Sequence, residues 1–166
     1  GQNVMVSSIR EYYNLVSYFS NFNIKNLRIV MGIPSFLHVL NKAYYTRLRG
    51  GILEALGKLF TDNMKLYVYP TISSVAIDDP TKGDELLTTD NLPLPGDLED
   101  LYAYLKKNRK IIDIKHAKKD WLYINSRFVL RMIKNNTPGW EKMVPRYVED
   151  QIKSKGLFGY ETEDGQ

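Results

Sequence analysis

Apolar positions in the first fifth of the chain recur at helical spacing. Tyr12, Leu15, Val16 and Phe19 form one stripe behind Ser8 and Glu11, which have the spacing of a capping box, so a helix is predicted over residues 8–20. Leu27–Met31 is short, β-branched and apolar and stops at Gly32, the pattern of a buried strand. Pro34 then marks the start of a short helix over residues 35–41. Ile52, Leu53, Leu56, Leu59 and Phe60 make the next helical stripe, and Leu66–Tyr69 reads as a second strand stopped by Pro70. From Thr71 to Gly96 the chain turns polar and proline-rich, which predicts a long loop. Leu98, Leu101, Tyr102 and Leu105 mark a helix capped by Asp97. Ile111–Ile114 and Trp121–Ile124 read as a third and a fourth strand, and helices follow from Ser126 and from Arg146.

Short apolar strands alternating with helices predict an α/β fold, Rossmann-like, with a mostly parallel sheet flanked by helices. Residues 1–160 read as a single α/β domain carrying a loop insertion at 71–96, and residues 161–166 as a flexible tail.

Composition narrows the chemistry. With no cysteine the chain has no disulfide, no thiolate metal site and no cysteine nucleophile, which fits the cytoplasm or another reducing compartment. No apolar run approaches membrane-spanning length, so no membrane partner is expected. A net charge of +4 suits a domain that handles phosphates but falls short of the basic stripe of a nucleic-acid binder. The most basic stretch, Lys106 to Lys119, reads as a solvated face, with phosphate or RNA contact as its functional alternative. The carboxylates between Asp78 and Asp84 lack metal-ligand spacing and read as loop, so no metal site is expected. His38 falls within an apolar helical stripe and reads as structural, as do Trp121 and Trp140. Twelve tyrosines carry no evident role in the sequence.

The chemistry is expected where a strand runs into a helix. Asn125 and Ser126 stand on such a turn, where backbone N–H groups at a helix N-terminus can hold phosphate or where both residues simply cap the helix. Arg127 opposes the positive end of that helix, a penalty that a bound anion would remove. Gly32 serves either a tight turn or the close approach of a ligand.

Taken in order, these segments resemble the C-terminal half of the nicotinate/nicotinamide-mononucleotide adenylyltransferases. The carriers are Ile29-Val30-Met31-Gly32-Ile33-Pro34-Ser35-Phe36, the Lys65–Tyr69 strand, Ile111–Ile114, the run Tyr123-Ile124-Asn125-Ser126-Arg127-Phe128, and the closing Val144-Pro145 to Gly156-Leu157 helix. The resemblance covers roughly residues 8–70 and 98–160 and implies a nucleotidyltransferase fold. It implies adenylyl transfer from ATP to a pyridine mononucleotide with release of pyrophosphate, and Mg²⁺ accompanying ATP. It also implies Gly32, Ser35, Asn125, Ser126 and Arg127 as nucleotide-binding residues.

The family's histidine signature has no counterpart, because His38 and His116 stand in other contexts. Pro34 occupies the family's acidic place, Arg127 its threonine place and Leu130 its arginine place. These departures imply either a C-terminal piece of a longer protein, with Gly1-Gln2 as a cleavage scar, or a diverged half that does not turn over by itself. The catalytic residues therefore stay unassigned. A non-catalytic interaction module that keeps the fold is the alternative. Besides the nucleotides, a second copy of the chain or a missing N-terminal half are the partners to expect.

Overall fold

The structure, a computed structural model, describes residues 3–22, 24, 26–61, 63–74 and 83–161. The chain divides into two compact units, Gly1–His116 and Ala117–Gln166.

The first unit is α/β. Helix α1 (Tyr12–Ser20) leads to strand β1 (Arg28–Gly32), helix α2 (Ile33–Val39), a 3₁₀ turn at Lys42–Tyr45, helix α3 (Gly51–Leu59) and strand β2 (Lys65–Tyr69). Two short strands follow, β3 (Thr71–Ile72) and β4 (Leu86–Leu87), then helix α4 (Glu99–Lys107) and strand β5 (Ile111–Asp113). Strands β1, β2 and β5 form a parallel three-stranded sheet in that order, with Met31 beside Val68 and Leu66 beside Ile111.

Register sorts the side chains by face. Met31, Leu66, Val68 and Ile111 share one face and join the core with Val16 of α1, Phe36 of α2, Leu56 of α3 and Leu105 of α4. The helices of this unit therefore pack on one side of the sheet. The other face carries Val30, which is 66% exposed, with Tyr67 and Ile112 half-buried. Parallel sheets are ordinarily covered on both faces, so this exposure is unusual.

The second unit is helical among its described residues, with α5 (Ser126–Lys134), a 3₁₀ turn at Trp140–Met143 and α6 (Arg146–Lys155). Its core is Val129, Ile133, Trp140 and Ile152. Gly156 ends α6 at φ +59°, the left-handed geometry that favours glycine. No helix among the described residues is long and apolar enough to cross a membrane.

Several sequence expectations need correction. Trp121–Ile124 is not a strand. Residues Lys119–Trp121 form a 3₁₀ turn, and the N–H of Ile124 donates to the carbonyl of Trp121 instead of to a neighbouring strand. Trp121 is exposed, with the Lys118 ammonium 4.5 Å from its ring centre.

The capping box at Ser8 does not form. The helix starts at Tyr12, because the Glu11 carbonyl accepts the first helical bonds, from Asn14 and Leu15, and Ser7 instead caps the Ile9 N–H locally. Asp97 does not cap α4 but pairs with Lys42. The 71–96 segment is partly ordered by antiparallel pairing of β3 with β4, and Ser73 extends the pairing by donating its N–H to Glu85 at 2.9 Å. Residues 75–82 and the tail residues 162–166 lie outside the described residues.

Candidate functional site

The carboxyl ends of the three parallel strands lie level, since Gly32 pairs with Tyr69 and Val68 with Asp113. In open α/β sheets ligands bind outside this edge.

At the end of β5, Asp113 is the centre of a polar network. Its carboxylate accepts from the Thr89 N–H at 2.8 Å, from the Thr89 hydroxyl and from the Lys106 ammonium at 3.2 Å. Lys106 also donates to the Thr89 hydroxyl oxygen and pairs with Asp90 at 2.8 Å. Tyr102 donates its hydroxyl to the Thr89 carbonyl at 2.6 Å, and burial pushes that hydroxyl's pKa up. Burial opposes the charged form of Asp113, but the hydrogen bonds from Thr89 and Lys106 outweigh it and hold the carboxyl below its ordinary value. Burial likewise opposes the Lys106 ammonium, and its bonds to Asp90 and Asp113 outweigh that, so its pKa rises.

Both partners stay ionised across the neutral range, and both carboxylate oxygens are occupied. The group is a latch that ties the Thr88–Asn91 turn to β5, not an acid–base pair. Asp113 is depressed, so its contribution is full above the ordinary aspartate range and is lost as pH falls through it. Lys106 is raised, so its share is lost only as pH climbs past the ordinary lysine range. Asp113→Asn is expected to cost about 2 kcal/mol by leaving Lys106 and Thr89 under-partnered. In denaturant titrations the wild-type advantage over this variant should shrink as pH falls through the aspartate range; an advantage unchanged at acid pH would contradict the latch.

The β1–α2 turn places Gly32 and Ser35. Gly32 has φ −79° and ψ 163°, ordinary extended backbone, and a Cβ there would meet only the Pro34 ring carbon at 3.6 Å. The strand passes directly into the helix here, and the backbone of that turn does not require glycine.

Ser35 opens onto a groove of about 410 Å³ lined by Arg10, Glu11, Tyr12, Ser35, His38, Val39, Tyr44 and Tyr45. Val39 and Tyr45 are buried and form its floor. The Tyr45 hydroxyl donates to the Val39 carbonyl at 2.8 Å, and burial, with the fields of Tyr13 and Glu11 added, pushes its pKa up to about 12. Arg10, Glu11, His38 and Tyr44 are exposed around it. His38 Nδ1 and the Tyr44 hydroxyl are 2.9 Å apart, and the two rings are tilted at 56° with centres 5.5 Å apart. His38 is therefore a rim group of the groove and not the core residue its apolar neighbours suggested. The volume falls within the range of small-molecule sites, and an apolar floor with a few convergent polar groups is their usual make-up.

In the second unit Asn125 caps α5, its side-chain oxygen accepting the Arg127 N–H at 2.8 Å. Ser126 and Arg127 are exposed at this helix start, and Leu130 is exposed on its second turn. Asn125 thus caps the helix, as its residue type favours. Gly32 and Ser35 belong to one unit and Asn125, Ser126 and Arg127 to the other.

Three cations of the Lys106–Lys119 stretch have contacts within the chain. Lys106 is spent in the latch, Lys110 donates to the Phe60 carbonyl at 3.1 Å, and Lys118 covers Trp121.

The sequence reading missed the groove because its lining comes from three separated segments. The surplus of tyrosines was the only hint, and three of them line it. The latch had a clearer signal, an aspartate closing the apolar Ile111–Ile112 run.

No protein-family profile, no curated protein and no solved structure matches this chain.

Proposed function

We propose that the chain is a nucleotide-binding α/β domain of the nucleotidyltransferase type, and that it binds without turning over by itself. The observation that carries this reading is the groove of about 410 Å³ along α2, with Ser35, in the first turn of the helix that follows β1, among its lining residues. The level carboxyl edge of a parallel sheet supports it.

A protein-held Mg²⁺ does not fit the residues present. Among the described residues no cluster of three or more His, Cys, Asp or Glu could hold a metal, and the groove's carboxylate, Glu11, accepts from Asn14 at 3.3 Å. Any Mg²⁺ would have to enter on the phosphates of ATP, and no step of phosphoryl chemistry is assigned to this chain.

A second reading, a non-catalytic interaction module, is favoured by the exposure of Val30 on the outer face of the parallel sheet. One measurement separates the two. Calorimetric titration of the whole chain with Mg·ATP, nicotinate mononucleotide and the dinucleotide product is expected to show saturable binding of at least one. Absence of heat with all three, confirmed by equilibrium dialysis, would reject nucleotide binding and leave the interaction module.

A further inference from the structure

The chemistry of the groove selects among nucleotides. Resting on the nucleotide-binding reading, we infer that the groove takes an aromatic phosphate monoester and discriminates against polyphosphates. Tyr44 offers an exposed ring at the rim, and Tyr12 and Tyr45 add aromatic wall and floor. A planar base can stack on such a ring whatever its hydrogen-bonding edge.

The polar groups are suited to one phosphate. Arg10 supplies a guanidinium that can hold two phosphate oxygens, Ser35 supplies a hydroxyl, and His38, with Nδ1 already engaged by Tyr44, has Nε2 to offer. Among the lining residues Arg10 is the single arginine or lysine, and Glu11 lies next to it in the same lining. Lys42, the nearest lysine in sequence to Tyr44, is paired with Asp97. One cation beside one carboxylate leaves the lining without net positive charge, which disfavours the larger charge of a triphosphate more than that of a monoester. Glu11 can also accept from sugar hydroxyls. Exclusion by a like charge is a recognised source of selectivity.

Titrations with AMP, ATP without added metal, inorganic phosphate and adenosine, followed by amide chemical shifts on the whole chain, test the inference. AMP is expected to bind, with shifts at Ser35, His38 and Tyr44, and inorganic phosphate and adenosine each to bind more weakly than AMP. Arg10→Ala and Tyr44→Ala should each weaken AMP by about tenfold, from a lost charge-assisted contact and a lost stacking surface. Glu11→Gln should raise the affinity for ATP relative to that for AMP by about tenfold, a change of ratio that a merely structural role would not produce. Because Arg10, Glu11 and Tyr44 are exposed, the variants should keep the wild-type amide spectrum.

AMP binding that neither Arg10→Ala nor Tyr44→Ala weakens would overturn the groove assignment while leaving nucleotide binding in place. Equal affinity for AMP and ATP in the wild type would overturn the discrimination. Failure of every nucleotide to bind would remove the reading on which the inference rests.

Discussion

Trp140→Ala is expected to unfold residues Ala117–Gln166 and to leave Gly1–His116 folded. Trp140 is 1% exposed and is the largest member of a core that otherwise consists of Val129, Ile133 and Ile152. Its ring packs edge-on against Tyr160 with centres 5.9 Å apart, and the Lys153 ammonium sits 5.6 Å from the ring centre. Truncating a buried aromatic costs about 3–5 kcal/mol. A core this small rarely supplies more than about 3–5 kcal/mol, so the loss consumes essentially all of the unit's stability. In the amide spectrum the signals of Val129, Ile133 and Ile152 should collapse to unfolded positions while those of Met31, Leu66 and Val68 persist. Simultaneous loss of both sets would contradict the division into two units.

Phe36→Ala is the counterpart in the first unit. Phe36 is 0% exposed, belongs to the core with Met31 and Val68, and lies 6.2 Å from the Tyr102 ring centre at a tilt of 47°. The expected cost is about 4 kcal/mol, and a first-unit melting temperature lower by about 15 °C follows from it. Two dependent features should weaken with it. Tyr102 carries the hydrogen bond to Thr89 that belongs to the latch, and α2 carries Ser35 and His38 into the groove. Thermal unfolding monitored on first-unit amides checks the prediction. A shift of only a degree or two would mean that the helix layer repacks without Phe36.

Strong local patterns were legible. The strands Arg28–Gly32, Lys65–Tyr69 and Ile111–Asp113 follow from short β-branched or aromatic runs stopped by glycine, proline or charge, and helices α3 and α5 follow from their apolar period. The Trp121–Ile124 reading failed for an instructive reason. Trp121 and Tyr123 are exposed and Leu122 is buried, so the burial alternates as in a half-buried strand although the backbone is a 3₁₀ turn. Alternation over so short a run does not distinguish the two.

The β3–β4 pairing depends on contacts between residues far apart in sequence, with Thr71 opposite Leu87, and no local propensity encodes them. The candidate site divides in the same way. Asn125 as a helix cap is local chemistry and was readable. The groove assembles Arg10, His38 and Tyr44 from three segments that only the packing of α1 and α2 with the 3₁₀ turn brings together. The departure of Gly32 from a strained turn could not be read from residue type at all, since glycine is equally suited to either backbone region.

The most direct test of nucleotide binding at the groove is an amide-resolved titration of the whole chain with AMP. Saturable shifts centred on residues 10–12, 35–39 and 44–45, the segments that line the groove, are the predicted result. Saturable shifts confined to other residues, or no shifts at any concentration, would contradict it.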